Sequence, residues 1–345
     1  MKIAIVCDTH FGARNDSPLF VDYFLSFFET QFFPYLRKNN ITEVIHLGDL
    51  MDRRKFVNFL TLSEVRKRFI SYFDSKEFNL HCILGNHDTY YKNTNDINSI
   101  HQLFAGSRIN IYEKPTDLKF GSLDIALVPW INKENYEDTV NFIKTTSSPF
   151  IMGHFELNGF EVLRGVKHQE GMSPDMLSKF ETVYSGHFHC KQTEKNVSYL
   201  GTPYQITFSD LREKKGFHVL DTETRELEFI ENSNKMFYTI VYNDTNDMLQ
   251  TNFSQYKNCY IKLIVENKSK PYIFDKFLDS LYNNAVASVN IIEENLLELS
   301  NEQTVDNTKD TLTIINLEID AMEEVENKNK LKKIIHDLYV ESLSI

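Results

Sequence analysis

Five short polar groups in the sequence have residue types that do chemistry: Asp8-Thr9-His10, Gly48-Asp49 with Asp52 beyond it, Gly85-Asn86-His87-Asp88, Gly153-His154, and Gly186-His187-Phe188-His189. Each follows a short apolar run, in order "KIAIVC", "EVIHL", "NLHCIL", "PFIM" and "TVYS". Carboxylates, an amide and imidazoles offer oxygen and nitrogen donors. That mixture suits hard-to-borderline divalent metals such as Mn²⁺, Zn²⁺ or Fe²⁺. The absence of clustered cysteines argues against a structural zinc. Glycines at these positions let the backbone turn sharply and approach a ligand closely. Taken singly the groups say little, since a histidine after a strand is ordinarily a satisfied polar residue and a DxH is common. Their joint occurrence, each after a strand, is hard to reach by accident.

The apolar runs are the elements that must position these groups. Besides those named, "LDIALV", "GFHVL" and "ELEFI" read as strands. Helical patterns fall near 19–38, 59–74, 97–104 and 134–145. That order predicts an α/β domain with helices covering central sheets. In such sheets ligands bind outside the carboxyl ends of strands. If the five strands are neighbours, their donors converge on one rim.

A second pattern begins near residue 235. "MFYTIVY", "CYIKLIVE" and "ASVNIIEE" read as strands, and "SKPYIFDKFLDSLYNN" as a helix opened by Pro271. The acidic, Asn-rich stretch 294–310 reads as a linker. The remainder, 311–345, reads as helical: Leu312, Ile315, Ile319 and Met322 share one face, and Leu331, Ile334, Ile335 and Leu338 another. Such a tail either packs back on the chain or docks to a partner.

The 345 residues carry a net charge of −12, with 41% apolar and 25% charged residues, as in an ordinary globular protein. The acidic balance argues against passive nucleic-acid binding, but not against a nucleic-acid enzyme whose bound metals supply positive charge. The many Phe and Tyr spread along the chain and read as core. Cys7, Cys82, Cys190 and Cys259 lack CxxC spacing, so a reduced, cytoplasmic protein is expected. Cys190 follows His189 with no clear base and reads as a strand cysteine. The N-terminus does not read as a signal peptide, and no apolar run is long enough for a membrane span.

The series "DTH", "GDLMD", "GNHD", "GH" and "GHFH" resembles the calcineurin-like metallophosphoesterases over residues 1–230. With "GHFELNGF", "YLGTPYQITFSD", the small later domain and the tail, it resembles more specifically the SbcD-type nuclease subunits of double-strand-break repair complexes, those of T4-like phages included. The resemblance implies a four-layer α-β-β-α sandwich at 1–234, a small α+β capping domain at 235–293 that selects DNA, a linker at 294–310 and an ATPase-docking helical segment at 311–345. It implies two divalent ions, Mn²⁺ by analogy with Mg²⁺ as the abundant competitor. Asp8, His10, Asp49 and His189 would hold one; Asp49, Asn86, His154 and His187 would hold the other. His87 would serve the leaving oxygen and Asp88 would orient it, with Asp52 in a supporting hydrogen bond. The implied reaction is hydrolysis of DNA phosphodiesters as an exo- or endonuclease. The implied partners are DNA, an SbcC-type coiled-coil ATPase and a second copy, giving a homodimer within a heterotetramer.

Arg53, Arg54 and Lys55, next to the Asp49 loop, are candidates for phosphate contact. Arg66, Lys67 and Arg68 read as a solvated helix face, and Arg212, Lys214 and Lys215 could flank a groove. Phe11, Tyr90, Tyr91 and Tyr204 read as packing. Two other readings stand beside the nuclease: a phosphomonoesterase or small-molecule phosphodiesterase, and a scaffold that keeps the fold without catalysis. The filled donor positions oppose the scaffold, and the docking tail opposes a free-standing phosphatase.

Overall fold

The computed structural model describes residues 1–245, 252–293, 319 and 327–343. The chain divides into two compact units, Met1–Met236 and Phe237–Ile345.

The first unit holds two six-stranded sheets. One contains β1 (Lys2–Val6), β2 (Glu43–His46), β3 (Asn79–Ile83), β4 (Ile109–Tyr112), β13 (Gly216–Asp221) and β14 (Leu227–Glu231), in the order β14-β13-β1-β2-β3-β4. The other contains β5 (Thr116–Phe120), β6 (Leu123–Val128), β7 (Phe150–Gly153), β10 (Thr182–Ser185), β11 (Gln192–Glu194) and β12 (Val197–Tyr199), in the order β11-β12-β10-β7-β6-β5. A two-stranded ladder pairs β8 (Glu161–Leu163) with β9 (Val166–Lys167). Strands β1–β4 run parallel, as do β6, β7, β10 and β12. Antiparallel strands close the sheets at β13–β14, β5 and β11.

The central strands are apolar throughout because both faces are covered. In β6, Leu123, Ile125 and Leu127 enter the core between the sheets, meeting Ile3, Ile5 and Ile45, while Ala126 and Val128 face Ile143 of the helix Tyr136–Thr145. On the outer side of the other sheet, Phe32 packs on Phe217 of β13 at 4.8 Å between ring centroids. These layers make the α-β-β-α sandwich.

The sequence pattern suggested two unbroken α-helices on that side, near 19–38 and 59–74, but each is interrupted by a π-helical turn. Pro18–Phe27 passes through a π-helical turn, Phe28–Phe32, into Phe33–Lys38. Phe59–Val65 does the same through Arg66–Ile70 into Ser71–Asp74. The wide turns meet: Phe28 and Phe69 lie 4.7 Å apart, and Arg68 donates to Glu29 at 2.6 Å and Asp22 at 2.9 Å. Arg68 is therefore an internal tie between helices, not part of a solvated face.

The second unit contains β15 (Phe237–Asn243), β16 (Tyr260–Asn267) and β17 (Ser288–Glu293), all parallel. The helix Pro271–Asn283 crosses between the last two and sets Phe274, Phe277 and Leu281 against Ile261, Leu263 and Val265. The expected linker 294–310 lies outside the described residues. So does the first tail stripe apart from Ile319. The helix Lys328–Leu343 is described, with Ile334 exposed. All four cysteines are buried, and none is in a disulfide. No helix among the described residues is long and apolar enough to cross a membrane.

Candidate metal centre

The five polar groups follow β1, β2 and β3 of one sheet and β7 and β10 of the other, so the rim is assembled across the sandwich. Hydrogen bonds tie the two halves at the rim itself. His154 Nδ1 donates to the Leu47 carbonyl at 2.8 Å, and the His187 backbone N–H donates to Asp8 Oδ1 at 2.9 Å.

The loops are unusually tight. Asp8, His10, Asp49 and His187 all adopt left-handed backbone, with φ of 52°, 43°, 55° and 88°. Each such residue costs on the order of 1–3 kcal/mol and persists only where its surroundings hold it. A Cβ on Gly85 would stand 2.1 Å from Asp49 Oδ1, so only glycine lets these two loops touch. Asp88 locks them: its carboxylate accepts from the backbone N–H groups of Gly85, Asp49, Leu50 and Met51 at 2.7–3.2 Å. Burial and the nearby Asp49 charge still push its pKa up to about 7. The expected role of Asp88 in orienting His87 is thus corrected. Its oxygens are spent on backbone, and His87 Nδ1 donates instead to the Asp52 carbonyl at 2.5 Å.

The donor atoms converge. His10 Nε2 lies 3.0 Å from His189 Nε2 and 3.6 Å from Asp49 Oδ2. Asn86 Oδ1 lies 2.9 Å from both His154 Nε2 and His187 Nδ1, and His154 Nε2 lies 3.4 Å from Asp49 Oδ2. Among the described residues, three groups have ligand atoms close enough to share an ion: Asp8, His10 and His189; His10, Asp49 and His87; and Asp49, His154 and His187. His154 Nδ1–H is held on the Leu47 carbonyl, so its Nε2 faces the Asn86 and Asp49 oxygens and meets them either as a protonated donor or through a shared cation. Asp8 Oδ2 is buried and has no hydrogen-bond partner. Imidazole nitrogens crowded against carboxylate and amide oxygens, with a buried carboxylate oxygen left over, call for positive charge at this rim, and the donor set fits divalent metal.

Protonation shows the same demand. Burial would lower the pKa of His154, but Asp49 and Asp8 outweigh it and raise the value to about 9. Burial likewise opposes protonation of His10, and the Asp52 hydrogen bond with Asp49 reverses it, again to about 9. His187, buried beside His154, falls to about 3.

Supporting residues lie around this rim. Asp52 Oδ1 is 3.1 Å from His10 Nδ1, an ion-pair distance at the position a carboxylate takes behind a metal-ligating histidine. Arg53 is tied to Asp16 at 3.3 Å and Asn15 at 2.9 Å. Arg54 is half-buried with Nη1 unpartnered, and Lys55 lies 5.4 Å from the Tyr90 ring. Sequence reasoning misplaced Lys215, which is buried rather than beside a groove. Its Nζ reaches Asp210 and Glu213 at 2.8 Å and the His189 carbonyl at 2.9 Å. It also missed Trp130, whose ring lies 5.4 Å from His187 and 6.0 Å from His154. The signal was available, since "VPW" closes the β6 run as the polar groups close theirs.

Residues 1–191 match the family model for calcineurin-like phosphoesterase. The chain belongs to that family. It is 32% identical to exonuclease subunit 1 of enterobacteria phage T4 over 347 residues, which covers 99% of each chain. It is 22% identical to the SbcD subunit of nuclease SbcCD from Staphylococcus epidermidis, over 85% of this chain and 86% of that one. The expected metal-dependent phosphoesterase, with its sandwich fold, stands.

Proposed function

We propose that this protein is a two-metal-dependent DNA nuclease that acts in recombination and double-strand-break processing. The observation that carries the reading is the convergence of buried lone pairs from both sheets on one rim. One ion would be held by Asp8, His10, Asp49 and His189, and the other by Asp49, Asn86, His154 and His187. Two such ions, Mn²⁺ in our reading, would supply an acidified water and positive charge for the phosphate oxygens. His87 is half-buried, and its Nδ1–H is committed to the Asp52 carbonyl, which directs Nε2 outward. It would give the leaving oxygen its proton. Arg54 and Lys55 would meet flanking phosphates, whereas Arg53 has its charge engaged by Asp16.

The second unit would cap and select DNA, and the helix Lys328–Leu343 would dock on the coiled coil of an SbcC-type ATPase. Phe59 and Leu60 are 84% and 61% exposed at the start of their helix, as a contact with a second copy would require. The named functions of the two curated relatives support this reading over a small-molecule phosphatase.

The test is cleavage of end-labelled linear duplex DNA by the purified chain with Mn²⁺, beside a chelator control and His87→Ala. Metal-dependent degradation that the variant loses is the expected result. Hydrolysis of a small phosphomonoester but of no DNA, even with the ATPase subunit added, would overturn it.

A further inference from the structure

Beside His154 opens a cavity of about 670 Å³, within the ~300–1,000 Å³ typical of small-molecule sites. Trp130 and Tyr136 line it. Trp130 is the only tryptophan in the chain. Its backbone is held firmly: the N–H donates to the Leu84 carbonyl at 2.7 Å, and its own carbonyl accepts from Asn95 at 3.1 Å and Asn135 at 3.0 Å. Its indole N–H, by contrast, is buried and has no acceptor. A preorganised aromatic with an unspent donor, against the rings of His187 and His154, is what a ligand-stacking residue looks like.

Charge selects the ligand. Glu134, Glu137, Asp138 and Glu156 line the same cavity, against one lysine, Lys133. Such a wall repels phosphate. Arg54, with its unpartnered Nη1, and Lys55 lie instead in the loop after Asp52, whose carbonyl holds His87. A nucleotide lying across the rim would therefore have its phosphates drawn to the cations of the metal centre and to that loop, and its uncharged part left to the cavity.

We propose that this cavity is a nucleobase pocket, in which Trp130 and Tyr136 stack the base of the nucleotide whose phosphate lies at the metal centre. The proposal rests on the nuclease reading and deepens it, since a base held there cannot also be paired. The enzyme would act on nucleotides whose base has left the duplex stack. Base–aromatic stacking is tolerant of base identity, so the pocket would favour unpaired ends over any sequence.

Because Trp130 is the sole tryptophan, its emission reports on the pocket directly. The full chain with Mg²⁺, which avoids paramagnetic quenching, is titrated with dAMP and, separately, with 2-deoxyribose 5-phosphate. A saturable emission change with dAMP and none with the sugar phosphate is expected. Tyr136→Ala, at a residue 47% exposed and so safe for folding, should weaken dAMP binding roughly five- to a hundredfold. In parallel, Trp130→Phe and Trp130→Ala are compared for KM on DNA with an unpaired terminal nucleotide or with an abasic terminus. Alanine should erase the preference for the base, and phenylalanine should retain most of it. Equal emission changes with both ligands, or none with either, would overturn the pocket even if DNA cleavage is intact. A base-dependent emission change in a protein that cleaves no DNA would uphold the pocket and remove the nuclease reading.

Discussion

The two sheets bring different chemistry to the same rim. The β1–β3 side supplies both carboxylates, Asp8 and Asp49, on strained left-handed loops. The β7–β10 side supplies the imidazoles His154, His187 and His189, and adds no carboxylate to the donor set. The carboxylates come from one half of the sandwich, and three imidazoles that face them come from the other. The halves are braced differently too. The first is knitted by Asp88 through four backbone N–H groups, and the second by the buried ammonium of Lys215 on the His189 carbonyl. The lesson is that a centre built between two sheets depends on their alignment, and each half has its own internal clamp to keep it.

Four substitutions test that division. Asp49→Ala removes the one carboxylate within reach of both imidazole groups. Both ions should be lost together, read as metal content by mass spectrometry; loss of only one would break the bridging assignment. His87→Ala should retain metal and lower cleavage by roughly 10²–10⁴-fold, the range for a lost general acid. If metal content collapsed instead, His87 would belong with the ligands. Lys215→Met strips the cation from buried Asp210 and half-buried Glu213. Denaturant melts should show about 3–5 kcal/mol of destabilisation, the cost of orphaning a buried partner, with His189 disturbed first. A variant of unchanged stability would show that the second half needs no clamp. Asp52→Asn keeps shape and loses charge behind His10. Metal affinity, by titration, should fall about 10–100-fold with the fold unchanged.

How much of this was legible follows from burial. Strands β1, β2, β3, β6, β7 and β10 read clearly because both faces are covered, which makes the run apolar and its polar end conspicuous. The edge and hairpin strands β4, β5, β8, β9, β11 and β12 did not. Most of their residues are partly exposed and mixed in polarity, as in the "QTE" of β11, and β12 is only three residues long, so pairing makes them strands. Donor residues were legible by type and position, but their supports were not. Asp88 looked like a partner for the adjacent His87, yet the chain turns so that backbone N–H groups surround it. Lys215 and Arg68 looked solvent-facing because lysine and arginine usually are. Carboxylates from elsewhere in the fold, Asp210 and Glu213 for one and Glu29 and Asp22 for the other, draw them inward.

The paired π-helical turns at Phe28–Phe32 and Arg66–Ile70 carry a consequence for how this sequence can drift. Each residue advances a helix by about 100°, so removing one from either turn would swing every later side chain around the axis. Phe33, stacked on Tyr72 at 3.9 Å, would leave its partner, and Arg68 would leave Glu29. Exchange of one residue for another is open at the outward positions of these helices, but gain or loss of a residue is not. A lineage that keeps this aromatic layer has to keep the count of residues between Pro18 and Lys38, and between Phe59 and Asp74, long after their identities have changed.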